Sequence, residues 1–280
     1  MRYTPMILVA ATLLASSAQA QIVQSGTGAA ATAARNAFRV DLGGGTVAGA
    51  NGSFGGVRRE INWDGVPNTR AAPAALPANF FNTTSPRGVV FSTPGTGFEV
   101  SANSGLATPV EFGDINPTYT GLFAPFSAQR LFTAIGSNVM DVSFFRPGTT
   151  TVAVTRGFGV VFSDVDLGNT TSIQLFDITN HSLGKFFAPN VPGANETFSF
   201  LGISYADARI ARARITSGNA ALSASANESS TTDLVAMDDF LFAEPTPVPE
   251  PASWALMISG FGLAGVALRR RSRKTAAPGL

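Results

Sequence analysis

Ala208-Arg209-Ile210-Ala211-Arg212-Ala213-Arg214-Ile215 sorts its side chains onto two faces, with Arg209, Arg212 and Arg214 mostly toward solvent and the apolar residues opposite. A strand with one wet face and one dry face belongs in an antiparallel sheet, since parallel strands are covered on both sides. Ile173-Gln174-Leu175-Phe176-Asp177-Ile178 repeats the pattern. Outward from these two, strand candidates follow one another at 130–135, 139–146, 151–166, 171–177, 183–187, 196–200, 208–216 and 234–242. Pro147-Gly148, Gly168-Asn169, Asn180-His181-Ser182 and Pro192-Gly193 punctuate them. Turn residues at each break, roughly ten to fifteen residues apart, predict an all-β fold, an antiparallel β-sandwich.

The first half is less regular. Residues 21–37 are Ala, Gly, Ser and Thr without periodicity, which reads as a flexible lead-in, and Phe38-Arg39-Val40-Asp41-Leu42 alternates as a strand should. The glycine-rich run that follows lacks Gly-Lys-Ser/Thr and a helix after it, so it is a connection and not a phosphate loop. A strand is expected at 57–62, then a turn at Trp63-Asp64-Gly65-Val66-Pro67-Asn68. Beside such a turn Trp63 closes one end of the core or, if exposed, stacks on a sugar; the core role is the commoner. Residues 71–78 carry Pro73 and Pro77 and form a loop, and 88–92 with 97–102 read as a hairpin across Thr93-Pro94-Gly95-Thr96. Residues 103–129 are irregular, with acidic Glu111 and Asp114 among aromatics.

Of 19 basic and 18 acidic residues, Arg2, Arg269, Arg270, Arg271, Arg273, Lys274, Glu244 and Glu250 lie toward the two ends, so the body is slightly acidic. Lys185 is its single lysine and no basic cluster with interleaved aromatics appears, which argues against nucleic acid. There is no cysteine, so an exported chain would stand without disulfides. The expected organisation is a signal peptide at 1–20, the lead-in at 21–37 and one sandwich domain at 38–243. A Pro-rich linker at 244–251, a single transmembrane helix at 252–268 and a basic cytoplasmic tail at 269–280 complete it.

Arg2, an apolar stretch and Ala18-Gln19-Ala20 carry the signal-peptide reading. At the other end no charge interrupts 252–268; seventeen helical residues reach roughly 25 Å, slightly short of a hydrocarbon core of about 30 Å. Trp254 suits one interface and the cations from Arg269 onward the other, which places the C-terminus inside and the body outside. Pro249, Glu250, Pro251, Trp254, Ala255, Gly260, Phe261, Gly262, Arg269, Arg270 and Arg271 together resemble the PEP-CTERM sorting signal in its PEPxxWA variant. The resemblance implies an exosortase-type membrane protease in a Gram-negative producer of exopolysaccharide. It implies transient residence in the inner membrane, removal of the tail near Pro-Glu-Pro, and release to the cell surface, matrix or biofilm. A permanent single-pass anchor predicts the same topology.

The second half resembles the jelly-roll domains of exported bacterial proteins that are similar to carbohydrate-binding modules. The matching pieces are Gly159-Val160-Val161-Phe162-Ser163-Asp164-Val165-Asp166, the hairpin at 173–187, Phe200-Leu201-Gly202-Ile203 and Met237-Asp238-Asp239-Phe240-Leu241-Phe242. That likeness implies a jelly roll first, glycan association second, and no catalysis. Asp164 and Asp166 share a face of a strand end, and Asp238-Asp239 enter the last strand; brought together they would make a hard-oxygen site for a structural calcium ion. Otherwise they are turn and ladder-end residues meeting water. His181, the one histidine, lies in a turn, where an imidazole is poorly oriented for a triad, and zinc ligands are lacking. With so many acidic residues, a pair at glycosidase spacing is uninformative. The expectation is a non-catalytic surface or matrix protein; the alternative is a secreted glycan-active hydrolase using acids of the first half.

Overall fold

The computed structural model describes residues 21–44, 57–248 and 258–265. In chain order its strands are β1 (Ile22–Thr27), β2 (Arg58–Ile61), β3 (Val89–Ser92), β4 (Gly97–Val100), β5 (Phe132–Ile135), β6 (Val139–Phe144) and β7 (Ala153–Val154). They continue as β8 (Gly157–Ser163), β9 (Ser172–Phe176), β10 (Ser182–Phe187), β11 (Phe198–Ser204), β12 (Arg212–Thr216), β13 (Ala236–Ala243) and β14 (Thr246–Pro247); helix α1 (Ala29–Leu42) follows β1. One sheet has the order β1-β11-β8-β13-β5-β4, with β2 also on β13, and the other has β10-β9-β12-β6-β3. The strand pairs within both sheets are antiparallel. The expected all-β antiparallel sandwich is therefore the architecture, and each strand candidate between 130 and 242 overlaps at least one strand.

Alternation explains why the sheets face each other. Phe158, Val160 and Phe162 of β8 and Phe240 and Phe242 of β13 project into the same core as Ile173 and Leu175 of β9 and Val142 and Phe144 of β6. Trp63 is fully enclosed there, stacked on Phe132 at 3.9 Å and edge-on to Phe81 and Phe240. Its indole Nε1 donates to the Asp238 carbonyl at 2.8 Å, so the ring buries its apolar body without orphaning its one donor. The core role of Trp63 is the one realised.

Three regions differ from the sequence reading. Residues 21–37 are not a flexible lead-in and 38–42 are not a strand: β1 pairs with β11 over its whole length, and α1 crosses the outer face of the larger sheet. Alanine has the highest helix propensity, and Ala31, Ala34, Phe38 and Leu42 fall at helical spacing, so the alanine run is the buried stripe of an amphipathic helix. Phe38 lies so close to β8 and β11 that a Cβ on Gly159 or Gly202 would come within 2.9 Å or 2.7 Å of its ring. The helix is also held by buried charges. Arg39 forks onto Glu60 at 2.9 and 2.6 Å, and Arg58 donates to Glu60 at 2.9 Å and to the Gly43 carbonyl at 2.7 Å.

Residues 88–102 are not a hairpin, because β3 pairs with β6 in one sheet and β4 with β5 in the other. The Pro94-Gly95 corner carries the chain between layers, and a side chain on Gly95 would strike the Ile135 carbonyl at 2.1 Å. The linker reading begins too early as well. Glu244 forks onto Arg59 at 2.8 and 2.7 Å, β14 pairs with β7, and the Val248 amide donates to the Val152 carbonyl at 3.2 Å. Residues 244–248 are thus fastened to the body.

Candidate functional site

Three places carry polar or sequence-motif features that could serve a function. The first is the C-terminal tail. Pro249, Glu250, Pro251, Trp254, Ala255, Arg269, Arg270 and Arg271 lie outside the described residues, as does the signal peptide expected at 1–20. Gly260 and Gly262 lie in the helical stretch 258–265, and side chains built on them would meet nothing within 4 Å. Ile258, Phe261 and Leu263 in that stretch are at least 70% exposed. Among the described residues no helix is long and apolar enough to cross a membrane, and most of the expected span at 252–268 lies outside them.

The second is the outer face of the five-stranded sheet. Antiparallel register lines up Lys185, Gln174, Arg214, Asp141 and Ser92 as one row across all five strands. Beside it Ser182, Phe176, Arg212, Ser143 and Val90 form a second. Arg214 grips Asp141 through Nε at 2.8 Å and Nη2 at 3.0 Å, which raises the guanidinium pKa, and Arg212 reaches the same carboxylate at 3.0 Å. The Arg212 guanidinium carbon sits 3.8 Å from the centre of the Phe176 ring, a cation–π contact. Lys185 lies 5.1 Å from the exposed Phe187 ring. An open depression of about 360 Å³ bounded by Ser92, Thr93, Pro94, Val139 and Arg214 ends the first row. The result is a flat surface with fixed donors, an acceptor and aromatic edges. His181 stands at the exposed β9–β10 turn, where the Thr179 hydroxyl is 3.0 Å from its Nδ1.

The third comprises the four aspartates singled out for calcium, which the fold does not gather into one site. Met237 pairs with Phe162 and Phe240 with Val160, so a bulge in β13 absorbs Asp238 and Asp239. Asp238 accepts from the Ser127 amide at 3.0 Å and from the Ser127 hydroxyl at 3.0 Å, and also from the Phe126 amide. The same hydroxyl is 2.9 Å from an Asp239 oxygen, its one proton shared between the two carboxyls, and Asp239 pairs with Arg35 of α1 at 3.0 Å. Burial is the main cause pushing both carboxyls up, and these donors oppose it.

Asp164 and Asp166 have different neighbours. Asp164 is wholly buried, and neither carboxylate oxygen has a hydrogen-bond partner. Burial first, then the charges of Asp166, Glu228, Asp233 and Glu196, push it up to about 8. Glu228 is pushed up to about 7, mainly by burial, and Asp233 is raised for the same reason. Asp233 Oδ1 accepts from the Asp166 amide at 2.9 Å and its Oδ2 from the Thr170 hydroxyl; Glu228 Oε2 accepts from the Leu234 amide at 2.9 Å. Asp233 and Glu228 escaped the sequence reading because they lie in the polar connection before β13, where nothing in the local pattern marks them. Among the described residues no three carboxylate or imidazole side chains already stand at metal-ligand spacing.

Comparison with known proteins finds one sequence match and weak structural ones. Residues 247–271 match the PEP-CTERM protein-sorting motif, the segment singled out by its Pro-Glu-Pro, Trp-Ala and arginine cluster. No curated protein matches the chain. Among solved structures, it is similar to a glycoside hydrolase family 43 arabinoxylan arabinofuranohydrolase from Bacillus subtilis in complex with cellotetraose. That likeness has 12% identity and a TM-score of 0.26, over 52% of this chain and 24% of that one. It is also similar to the enzymatically active domain of tailspike protein 4 of bacteriophage CBA120. Here identity is 13% and the TM-score 0.27, over 59% of this chain and 20% of that one. The chain thus spans a quarter or less of either structure's length.

Proposed function

We propose that this chain is a non-catalytic cargo protein: a β-sandwich delivered outward by its tail, cut from the membrane by an exosortase-type protease, and held in exopolysaccharide through the outer face of its five-stranded sheet. The match at residues 247–271 carries the reading. The PEP-CTERM motif implies exosortase-dependent extracellular sorting, with export, transient membrane anchoring and then a surface or extracellular location. The physical logic of the tail agrees. An apolar segment followed by cations stops in the membrane with its basic end inside. Residues 244–248, which directly precede Pro249-Glu250-Pro251 in the sequence, are fastened to the body. A membrane protease would then meet the motif at the edge of a folded domain, and cutting there would release that domain entire.

The glycan part of the reading is supported by the chemistry of the sheet face. Polysaccharides offer flat rings with hydroxyls on their edges, and suit rigid donors, acceptors and aromatic faces better than deep cavities. Arg214 and Asp141 hold each other in place, Arg212 rests on the Phe176 ring, and Gln174 lies between Lys185 and Arg214 in the row. Incubating the exported protein with purified exopolysaccharide from its host tests this. Retention on the polymer without new reducing ends is expected, with weaker retention of an Arg214→Ala variant. Release of oligosaccharides would replace this reading with a hydrolase, and no retention would remove the glycan part.

A further inference from the structure

We propose that Asp164, Asp166 and Glu228 bind a calcium ion at the end of β8, with Asp233 positioning Asp166. A carboxyl out of water takes up a proton unless its charge is paired, hydrogen-bonded or bound to a metal. Asp164 has none of the protein's donors on either oxygen and no exposure to solvent. Its charged neighbours are all acids: Asp166, Glu228, Asp233 and Glu196. Asp164, Asp166 and Asp233 are buried and Glu228 is partly so, and among the described residues no basic side chain pairs with any of them or with Glu196.

The remaining oxygens are arranged to be shared. Glu228 spends Oε2 on the Leu234 amide and leaves Oε1 without a partner; Asp166 likewise has a buried, unpartnered Oδ1. Asp233 spends both oxygens, one on the Asp166 amide and one on the Thr170 hydroxyl, and so fixes the backbone that carries Asp166. The Thr197 hydroxyl, on the residue whose carbonyl accepts from the Asp164 amide at 2.8 Å, is also buried without a partner. The donors are all hard oxygens, with no thiol or imidazole among them, which is the ligand set of calcium. Calcium tolerates six to eight oxygens in irregular geometry, with water and carbonyls beside carboxylates. It therefore does not require three carboxylates to stand at ligand distance beforehand, and binding would draw the free oxygen of Glu228 in. The ion would tie the end of β8 to the connection before β13.

The test is thermal unfolding of the exported protein at pH 8 in calcium chloride and in chelator, with magnesium chloride as comparison. Calcium at about a hundredfold over its Kd should raise the midpoint by about 5 °C or more, with a much smaller effect of magnesium. Asp164→Asn keeps the shape, removes the charge and should lose the calcium response while still melting cooperatively. Glu228→Gln should weaken calcium binding, read by isothermal titration calorimetry, by about tenfold or more. No calcium response in the native protein, an equal response to magnesium, or an undiminished response in Asp164→Asn would overturn the proposal.

Discussion

Two groups of buried acids flank the same strand, β13, and the fold treats them in opposite ways. Asp239, within β13, and Glu60, on its neighbour β2, lie under α1, where Arg35, Arg39 and Arg58 reach them at 2.6 to 3.0 Å, and Asp238 is satisfied by the amides and hydroxyl at Ser127. Asp164 and its neighbours, before and beside β13, have backbone amides and a threonine for Asp233 and Glu228 but no cation and nothing at all for Asp164. Burial raises the carboxyl pKa of Asp238 and Asp239 on one side and of Asp164, Glu228 and Asp233 on the other. What separates them is whether the chain carries its own counter-charge to the site. The first group is part of how the sandwich holds its helix, whereas the second is the one proposed to take up calcium.

The largest expected effect comes from breaking the balanced side. Glu60→Ala would leave Arg39 and Arg58 buried without their shared carboxylate and should cost about 3 to 5 kcal/mol in urea unfolding. Arg35→Ala would turn the balanced side into a copy of the other. It should cost about 3 kcal/mol at pH 7 and less below about pH 3, under the ordinary aspartate pKa, where the Asp239 carboxyl is mostly protonated in both folded and unfolded chains. On the unbalanced side the sign reverses. In chelator at pH 9, Asp164→Asn should stabilise the protein by about 1 to 3 kcal/mol, because it removes a buried charge that nothing satisfies.

The pH dependence sharpens the same contrast. In the folded protein Asp164 titrates at about 8 and Glu228 at about 7, while in the unfolded chain both return to ordinary carboxylate values. Between those limits the folded state holds more protons than the unfolded one, so without calcium the melting midpoint should fall as pH rises from about 5 to 8. Calcium should flatten that decline. The smallest effect is expected on the open sheet face, where Arg214→Ala removes an exposed ion pair and should change stability by less than about 1 kcal/mol. Its consequence should appear in retention on exopolysaccharide.

Much of the fold was legible because a half-buried strand writes itself as alternation. The Arg212–Thr216 strand and its neighbours carry polar and apolar residues on opposite faces, and Gly, Pro and Asn mark the breaks. Helix α1 was not legible, since alanine serves equally as filler and as the buried stripe of a helix, and only the Phe38 contacts with Gly159 and Gly202 decide between them. Nor could alternation reveal that β3 and β4, four residues apart, enter different sheets. Asp164 and Asp166 were readable from the Asp-Val-Asp strand end. Their partners were not, because Asp233 and Glu228 arrive from more than sixty residues away through strand register. Asp238 and Asp239 were assigned to the same site because the bulge that carries them toward Ser127 and Arg35 leaves no mark in sequence.

Both groups of acids belong to a body whose destination is written in residues 247–271. The most direct test of the account is therefore the intact mass of the exported protein. A mass that ends near Pro249-Glu250-Pro251, with Trp254 and the Arg269–Arg271 cluster gone, is the predicted result. An exported chain that still carries Arg269, Arg270 and Arg271 would contradict it and leave a permanent anchor in place of a sorting signal.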